Sequence, residues 1–536
     1  MYERMGVVAL VAAVVFTQPL QGQQACESLR GLALPHTEIV SAALVSEGAL
    51  RAAPGAPAAP VVPAHCALRV ITRPTSDSEI GFELWLPATG WNGKYVQVGN
   101  GGWAGAINVG GLVEPLRRGY AVAGTDDGHS GSMGAGASWA IGHPEKLVDF
   151  GYRAVHETSV QARAIARAFY GKEPGRSYFI GCSDGGREGL MEAQRYPEEF
   201  DGIIAGAPAA AWSHLTAEGA WNQQALRQQP IPAAKLPAIQ RAALAACDAR
   251  DGVKDGLVED PRACRFDPAV LTCRGADGPD CLTRAQVATL RKLYEGPRDP
   301  RTGASFFPGF PPGTEAVQGG WSPWIIGDAG RGAIESFFAD SYFGQAVYED
   351  AAWDPRTFDL ARDVPLADRK VGSVLDATNP DLRSFRAHGG KLIQYHGWGD
   401  AAIPPLSSID YYESVRAFLD RFPDPRTPRR GPIQDFYRLF MVPGMGHCGG
   451  GIGPRDLGQG PAPASAEPER NVFSALEQWA EHGVAPEQIV GSGTVAGDTS
   501  KHLTRPLCPY PRVARYNGSG DIDDAGSFTC AVPEEP

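Results

Sequence analysis

Short strand-like segments alternate with helix-like segments in this chain, and no other feature of the sequence constrains the fold as strongly. The strand-like segments are apolar, rich in β-branched or aromatic residues, and flanked by Gly or Asp. They are KYVQVGN (94–100), YAVAGTD (120–126), SYFIGCS (177–183), GIIAGAP (202–208), KLIQYHG (391–397) and FYRLFMV (436–442). Helical spacing with few breakers marks residues 149–171 and 186–200. This alternation predicts an α/β fold, a mostly parallel sheet with helices on both faces.

The alternation stops between residues 210 and 390. This segment contains four cysteines, many Gly and Pro residues, and a set of clustered aromatic residues. The aromatic residues are Trp321, Trp324, Phe337, Phe338, Tyr342 and Phe343. We therefore predict a large lid domain over 210–390, inserted into a catalytic core that comprises residues 25–209 and 391–536.

Residues 1–24 have the features of a secretory signal peptide. A short polar start with Arg4 precedes an apolar run from about Met5 to Phe16, and small and polar residues follow before Ala25. The apolar run is short for a bilayer span, and no later segment approaches 18 uninterrupted apolar residues. We expect a chain that is not embedded in a membrane once the signal is removed; a retained N-terminal anchor is the alternative.

Ten cysteines follow the signal segment, and the formal net charge of the chain is −12. An even number of cysteines in an exported chain predicts five disulfides, although the connectivity stays open. None of the ten forms a C-x-x-C pair, which is the usual sequence motif of zinc sites and thioredoxin-like sites, so the sequence does not favour either kind of site. The negative charge argues against nucleic acids and anionic membranes as partners. We expect a secreted or periplasmic protein that acts on a small molecule or a neutral polymer.

The run SYFIGCSDGGREGL contains a G-x-S-x-G pattern centred on Ser183. Its context is strand, tight turn and helix, which is the context that a nucleophile elbow requires. Gly181 and Gly185 relieve crowding where the chain reverses around a strained serine. Ser183 is therefore the candidate nucleophile, at the carboxyl edge of the sheet.

A serine hydroxyl needs a histidine base, and that base needs an orienting acid. In an α/β-hydrolase the order along the chain is Ser, then Asp or Glu, then His. Asp400 follows the strand-like segment at 391–397, and His447 follows the one at 436–442. Taken alone, Asp400 could be a carboxylate that stabilises a turn, and His447 could be a surface histidine. Because the two residues follow Ser183 in the expected order and lie at the ends of successive strands, they together favour a catalytic triad.

The Gly-rich loop in GKYVQVGNGGWAG follows an early strand. In a hydrolase, such a loop supplies one backbone N–H to the oxyanion, and the residue after the nucleophile supplies another. We predict these donors at Gly102, with Gly101 adjacent, and at Asp184. A competing interpretation is a dinucleotide-binding oxidoreductase, because Gly99-x-Gly101-x-x-Ala104 fits the G-x-G-x-x-A fingerprint and Asp126 ends a later strand. It explains neither Ser183 nor the neighbouring cysteines.

The candidate nucleophile and base each have a cysteine neighbour, in Cys182–Ser183 and His447–Cys448. A bond between the two sulfurs would tie the serine loop to the histidine loop and, in the chain-entropy model, would stabilise the fold by about 5 kcal/mol. With a separate Asp, this doubled pairing resembles the signature of the tannase and feruloyl esterase family. Its members are α/β-hydrolases and include fungal tannases, feruloyl esterases and a bacterial mono(2-hydroxyethyl) terephthalate hydrolase. The resemblance covers nearly the whole mature chain, including 99–105 and 125–131.

The resemblance implies a disulfide pairing and a structural calcium ion. The pairs it implies are Cys182–Cys448, Cys26–Cys66, Cys247–Cys264, Cys273–Cys281 and Cys508–Cys530. A loop at 247–260 is rich in acidic residues and in glycine, a composition that suits a hard cation, and a solvated acidic turn is the alternative. The family places calcium at a matching D-x-x-D-G-x-x-D-G segment. Carried over, the ligands are the side chains of Asp248, Asp251 and Asp255 and the carbonyls of Val253 and Leu257, with Glu259 or Asp260 nearby.

The sequence thus predicts a secreted serine carboxylic ester hydrolase that acts through an acyl-enzyme. The resemblance implies a small aromatic ester substrate of the hydroxycinnamoyl, galloyl or terephthaloyl type, with no obligate protein partner. His396, four residues before Asp400, is a candidate substrate contact, with a buried structural histidine as the alternative. In the terephthalate-ester hydrolase of this family, a lid arginine binds the carboxylate of the substrate. No arginine of this chain aligns well with it: Arg331 is near the expected region, but its spacing from Phe337 and Phe338 does not match. A hydrolase-fold binding protein without activity remains the other alternative.

Overall fold

A computed structural model describes residues 25–49, 60–132, 134–299, 301–328, 330–423, 432–460, 465–495 and 497–533. The predicted signal peptide at 1–24 lies outside the described residues. Among the described residues, none of the helices combines the length and the apolar composition that crossing a membrane requires.

The strands lie mainly in the two parts of the chain that flank the predicted lid. They are β1 (Thr37–Val45), β2 (Gly48–Ala49), β3 (Val61–Val62), β4 (His65–Thr72), β5 (Ile80–Pro87), β6 (Lys94–Val98), β7 (Ala121–Thr125), β8 (Arg176–Cys182), β9 (Gly202–Gly206), β10 (Lys391–Gly397), β11 (Tyr437–Val442), β12 (Gly453–Asp456), β13 (Ile489–Val495), β14 (Asp498–Leu507), β15 (Val513–Tyr516) and β16 (Phe528–Ala531). Each of the six predicted strands is present, as β6 to β11.

Nine of these strands form one mixed sheet in the order β1-β4-β5-β7-β6-β8-β9-β10-β11. The strands from β7 to β11 are parallel, and β1, β4 and β5 extend the sheet antiparallel at one edge. The antiparallel part of the sheet was not predicted from the sequence. Parallel pairing brings the carboxyl ends of β6, β8, β10 and β11 to one edge of the sheet, which is the edge where the candidate site residues follow.

The α-helices connect the strands and also make up most of the regular structure in the predicted lid. They are α1 (Val109–Arg117), α2 (Pro144–Val148), α3 (Ala154–Tyr170), α4 (Asp184–Arg195), α5 (Trp212–Gln228), α6 (Leu236–Cys247), α7 (Arg284–Glu295), α8 (Ile334–Asp340), α9 (Leu360–Ala367), α10 (Ser373–Leu375), α11 (Arg383–His388), α12 (Leu406–Arg421) and α13 (Val472–His482). π-helical turns cover Asp149–Arg153, Ser322–Ile326, Ser341–Val347 and Asp368–Gly372. The 3₁₀ turns are Cys26–Gly31, Ser138–Ala140, Ala233–Lys235, Asp248–Asp251, Pro261–Ala263, Pro268–Leu271, Pro355–Thr357, Ile433–Asp435 and Ala525–Ser527.

Helices cover both faces of the large sheet. On β8 the buried rings of Tyr178 and Phe179 point to opposite faces, as successive residues of a strand must. Phe179 belongs to an apolar cluster with residues of α3, α4 and α12, whereas Tyr178 belongs to one with residues of α1 and α13. The strands are therefore buried on both sides, which explains their nearly continuous apolar sequences.

The segment between β9 and β10 contains α5 to α11, and no strand of the large sheet lies in its described residues. Two further apolar clusters hold it together. One joins Trp212 of α5 and Phe343 to Trp103 and Phe150 of the core, and the other is built around Trp321. The aromatic residues of this segment thus pack its interior and also fasten it to the core beside the candidate site.

Candidate active site

Ser183 lies in the turn between β8 and α4, in a backbone conformation that non-glycine residues rarely adopt. Its φ is 65° and its ψ is −121°. A Cβ on Gly181 would lie 2.2 Å from the carbonyl oxygen of Gly185, and a Cβ on Gly185 would lie 2.9 Å from that of Asn100. Only glycine fits on either side of the turn, so the local geometry is that of a nucleophile elbow.

His447 joins Ser183 to Asp400 through two hydrogen bonds of equal length. Its Nε2 lies 2.9 Å from Ser183 Oγ, and its Nδ1 lies 2.9 Å from Asp400 Oδ2. When Nδ1–H donates to Asp400, Nε2 is free to accept the serine proton. The structure thus brings the three predicted residues together from the ends of β8, β10 and β11, in the order that a serine hydrolase needs.

Asp400 is buried, and its carboxylate is surrounded by donors. Oδ1 accepts the N–H groups of Ala402 at 2.8 Å and Ile403 at 3.0 Å. Burial by itself would raise the pKa of Asp400, but the positive charge and hydrogen bonds of His447 and His396 hold that pKa well below its usual range. Asp400 therefore stays ionised and can stabilise a protonated His447.

His396 is fully buried behind Asp400. Its Nδ1 lies 2.7 Å from Ser408 Oγ, and its Nε2 lies 3.2 Å from Asp400 Oδ2 and 3.1 Å from the carbonyl oxygen of Ile403. The prediction that His396 contacts substrate disagrees with the structure, because the ring has no exposed surface and both nitrogens have protein partners. His396 holds the acid of the triad, which is the alternative considered from the sequence.

A disulfide connects the residue before Ser183 to the residue after His447. Cys182 and Cys448 are bonded with their Cα atoms 5.9 Å apart, although 266 positions separate them in sequence. The other pairs are Cys26–Cys66, Cys247–Cys264, Cys273–Cys281 and Cys508–Cys530. The pairing that the family resemblance implied is therefore confirmed, and none of the ten cysteines is left as a free thiol.

The two residues predicted as oxyanion donors, Gly102 and Asp184, both lie close to Ser183. Gly102 lines the cavity beside the serine with a φ of 55°, in the left-handed region that favours glycine. Asp184 is the first residue of α4, and N–H groups in the first turn of a helix have no acceptor within that helix. The Gly-rich loop and the start of the helix therefore both reach the surroundings of Ser183, as the prediction of an oxyanion site requires.

Two residues of the competing dinucleotide interpretation, Gly99 and Asp126, have a structural explanation. A Cβ on Gly99 would lie 2.7 Å from Glu188 Oε2 and 2.7 Å from the Cα of Gly185, so α4 approaches the loop too closely for a side chain. Asp126 Oδ1 accepts the N–H groups of Gly81 and Gly128, each at 2.9 Å, and so holds a turn. These contacts explain Gly99 and Asp126 without a nucleotide.

Buried acidic residues lie directly behind the elbow, and the sequence did not predict them. Asp127, Asp184 and Glu188 bring carboxylate oxygens within 4.8 Å of one another, and Arg187 donates to Asp184 at 2.5 Å. Burial and the charge of Asp184 raise the pKa of Glu188 to about 7. The N–H of Asn100 donates to Glu188 at 3.1 Å. The only signal in the sequence is the charged pair Arg187–Glu188 inside a Gly-rich helix start.

A narrow cavity of about 50 Å³ lies beside the triad. Its wall combines core residues with residues of α5, α8 and the turn at Ser322–Ile326. The lining consists of Gly102, Ser183, Ala209, Trp212, Leu215, Thr216, Glu218, Gly219, Trp324, Glu335, Phe338, Ala402, Ile403 and His447. The rings of Trp324 and His447 have centroids 5.3 Å apart. The apolar, aromatic character of this wall suits an aromatic ligand.

Two carboxyl groups in this wall, Glu218 and Glu335, are further residues that the sequence did not predict. Both are buried, and they lie next to the apolar lining rather than in a solvated patch. Arg331, by contrast, is exposed and does not line the cavity, whereas Phe338 does. Glu218 and Glu335 each occur in an ordinary helical sequence, and no pattern around them indicates that they face an active site.

The acidic loop at 247–260 packs against a buried arginine. Arg505, on β14, donates to Asp255 and lies 3.9 Å from Asp251 Oδ2, an oxygen that has no hydrogen-bond partner among the described residues. Burial raises the pKa of Asp251 to about 6 and that of Glu259 to about 8. Buried carboxylates thus outnumber the one cation beside them, a charge imbalance that a bound divalent cation would offset.

Comparisons with known proteins agree with this geometry. Residues 66–531 match the family model described as tannase and feruloyl esterase. An uncharacterized esterase of Xanthomonas campestris pv. campestris is 44% identical, over 98% of this chain and 93% of its own. The mono(2-hydroxyethyl) terephthalate hydrolase of Piscinibacter sakaiensis is 33% identical, over 96% and 93%. The crystal structure of feruloyl esterase B from Aspergillus oryzae superposes with a TM-score of 0.84 at 29% identity, over 94% and 99%.

The sheet, its helices and the site at its carboxyl edge are those of an α/β-hydrolase, so the predicted fold class is confirmed. The chain belongs to the tannase and feruloyl esterase family.

Proposed function

We propose that this chain is a serine carboxylesterase that cleaves esters of aromatic acids through an acyl-enzyme. Ser183 Oγ attacks the ester carbonyl while His447 takes its proton, and His447 then protonates the leaving alcohol. Asp400 orients the imidazole and remains ionised. A water molecule, deprotonated by His447, finally releases the acid. The observation that carries this proposal is the pair of 2.9 Å hydrogen bonds through His447.

The backbone N–H groups of Gly102 and Asp184 hold the oxyanion of each tetrahedral intermediate. Both come from backbone that is already ordered, so they stabilise developing negative charge without reorganising during the reaction. In hydrolases, loss of one such donor typically lowers the rate by about 10²–10³-fold. The Cys182–Cys448 disulfide ties the serine loop to the histidine loop and so keeps nucleophile and base within hydrogen-bond distance.

An aromatic acyl group is the substrate feature that the cavity supports best. Trp212, Trp324 and Phe338 offer ring surfaces next to the serine. Relatives named feruloyl esterase and mono(2-hydroxyethyl) terephthalate hydrolase support the same class. The reaction needs only the small ester and water.

A hydrolysis panel tests the proposal directly. The esters are methyl ferulate, methyl gallate and mono(2-hydroxyethyl) terephthalate, and the variants are Ser183→Ala and, as a matched control, Ser465→Ala at an exposed position. We expect at least one ester to be cleaved by the parent and the control but not by Ser183→Ala. Full activity in Ser183→Ala would overturn the mechanism. Failure of a fluorophosphonate to label Ser183 would favour the alternative of a binding protein without activity.

The loop at 247–260 is proposed to bind one structural calcium ion. Asp248, Asp251 and Asp255 would supply carboxylate oxygens, and Val253 and Leu257 would supply carbonyl oxygens. The buried, unpartnered oxygen of Asp251 and the excess of carboxylates over cations support this site. The ion would neutralise buried charge and brace the lid against β14, and it takes no part in the chemistry.

Export to the periplasm or the medium completes the proposed function. Five disulfides form and persist in an oxidising compartment. The signal-like residues 1–24 support the same location. Detection of the mature chain outside the cytoplasm, with Ala25 or a nearby residue at its N-terminus, would test it.

A further inference from the structure

Two glutamates on lid helices face the same cavity as the catalytic residues. Glu218 lies on α5 and Glu335 on α8, and both line the cavity that Ser183 and His447 close on the other side. Only 1% of Glu218 and 7% of Glu335 is exposed. The two helices pack directly together, since a Cβ on Gly219 would lie 3.3 Å from the carbonyl oxygen of Glu335. The lid thus places two acids, not one, at the cavity wall.

Neutral amides are the partners of both carboxyls. Asn222 Nδ2 donates to Glu218 and, at 3.3 Å, to Glu335, whose other oxygen accepts from Gln223 Nε2 at 2.7 Å. Within the described part of the chain, no Arg or Lys lines the cavity, and neither glutamate forms an ion pair. Burial raises the pKa of Glu218 to about 8, and burial with the charge of Glu218 raises that of Glu335 well above its usual range. The pair therefore keeps a proton near neutral pH.

Two neighbouring buried carboxyls, at least one of which is protonated, can together both donate and accept hydrogen bonds. That combination matches a hydroxyl group, which also donates and accepts. A ligand carboxylate, in contrast, would be a third acidic group in a buried space with no cation to offset it, which is costly. An apolar ligand end would leave the pair with no partner from the ligand.

We propose that Glu218 and Glu335 form the recognition site for a hydroxyl group on the aromatic ring of the acyl moiety. The preferred substrates are then esters of phenolic acids, and monoesters of aromatic dicarboxylic acids are disfavoured. This inference rests on the proposed function, because it assigns the acyl group of the same reaction.

The test compares three ring substituents on one ester scaffold. We would measure kcat/KM for methyl esters that carry a 4-hydroxy, an unsubstituted or a 4-carboxylate ring, in both the benzoate and the cinnamate series. The parent enzyme is expected to prefer the 4-hydroxy over the unsubstituted ester by about 10-fold or more in the series that fits the cavity. The 4-carboxylate ester should be the poorest substrate of the three.

Glu218→Gln and Glu335→Gln keep the shape of the wall and remove its acidity. Each should lower kcat/KM for the 4-hydroxy ester by about tenfold, because a hydrogen bond to a charged or acidic group is stronger than one to an amide. Each variant should have a higher kcat/KM than the parent for the 4-carboxylate ester. For the unsubstituted ester, its kcat/KM should stay within about twofold of the parent value. The matched control is Glu315→Gln, at a buried lid carboxyl that accepts from the N–H of Gly313 and does not line the cavity.

The outcomes separate this inference from the proposed function. If the parent cleaves none of the esters and a fluorophosphonate does not label Ser183, the proposed function fails, and the inference fails with it. If the esters are cleaved without preference for a ring hydroxyl, or if both variants change all three esters equally, the inference alone is wrong. Fluorophosphonate labelling of each variant shows that its triad is intact; should one variant fail to fold, the other and the parent's own preference decide.

Discussion

Glu188, on helix α4, accepts a hydrogen bond from the backbone N–H of Asn100, 3.1 Å away in the loop that carries Gly102. The carbonyl oxygen of Asn100 in turn accepts the N–H of Gly185 at 2.9 Å. The helix that follows Ser183 therefore holds the Gly-rich loop in place. This couples the positions of the two proposed oxyanion donors, because one lies in the loop and the other at the first residue of the helix.

Replacing Glu188 should impair the chemical step without weakening substrate binding. We expect Glu188→Ala to lower kcat by up to about 10²-fold with KM nearly unchanged, because a displaced Gly102 loses contact with the oxyanion and not with the substrate ground state. Glu188→Gln should recover much of the activity, since its amide oxygen can accept the same N–H. Steady-state kinetics on a cleaved aromatic ester would check this; a rise in KM that accounts for the whole loss would contradict it.

Glu188 should also give stability a specific pH dependence. Its pKa is raised from 4.5 to about 7, first by burial and then by the charge of Asp184. Asp127, Arg187 and Glu192 are the other charged or titratable groups around it. Between pH 4.5 and about pH 7, Glu188 keeps its proton in the folded chain and releases it in the unfolded chain. The free energy of unfolding therefore falls as pH rises through this range. Urea unfolding at about pH 5 and about pH 7 should show a smaller fall in Glu188→Gln; an equal fall would contradict the assignment.

The disulfide beside the triad should matter more for activity than the other disulfides. The double variant Cys182→Ala with Cys448→Ala is expected to lose at least about 10²-fold in kcat, because the serine and histidine loops are no longer tied together. The control is Cys273→Ala with Cys281→Ala, which removes a lid bond between cysteines 8 positions apart. Kinetics should be measured well below the melting temperature of each variant. Unaltered turnover without the Cys182–Cys448 bond would make that bond incidental to catalysis.

Replacing Asp400 or His396 should lower kcat in both cases, by a larger factor for Asp400 than for His396. Asp400→Asn is expected to lower kcat by about 10³–10⁴-fold, because the amide favours the wrong tautomer of His447. His396→Gln should cost about tenfold, since it removes one of the donors that keep Asp400 ionised. Neither change should alter the relative kcat/KM values for different acyl groups. A shift in substrate preference in His396→Gln would restore His396 as a substrate contact.

Removal of calcium should affect stability and leave the chemistry alone. Chelation by EGTA is expected to lower the melting temperature, and calcium at a hundred times its Kd should add about 2.7 kcal/mol to the free energy of unfolding. Asp251→Asn should abolish this dependence, whereas Asp267→Asn, at an exposed lid aspartate, should keep it. At a temperature where both forms are folded, kcat should be the same with and without calcium. Equal melting curves for the parent with calcium and with EGTA would argue against the site.

Much of the fold could be read from local patterns. The six buried strands are apolar, short and bounded by Gly or Asp, and they appear as β6 to β11. The antiparallel strands β1, β4 and β5 were not predicted; β1, at the edge of the sheet, is largely exposed and has a weaker apolar pattern. The positions of Ser183, Asp400 and His447 followed from their places directly after predicted strands, since parallel strands bring those ends to one edge.

Side chains whose role depends on distant packing could not be read in the same way. His396 was expected to touch substrate because it lies near the end of a strand, yet its ring points into the protein and holds Asp400. Glu188 and the pair Glu218–Glu335 are ordinary glutamates in helical sequences. Their burial results from contacts with segments that are distant in the sequence. The hydrogen bond between Asn222 and Glu335, for example, joins residues 113 positions apart.

The sequence by itself determined the α/β framework, the nucleophile elbow and the pairing of a cysteine with each of Ser183 and His447, because these depend on residue types at short spacing. Only the tertiary structure decided which carboxyl groups lie out of water. The packing of α5 against α8 buries Glu218 and Glu335 side by side at the cavity wall. The removal of solvent, which changes the chemistry of a carboxyl group, is a property of the assembled fold and of no single segment.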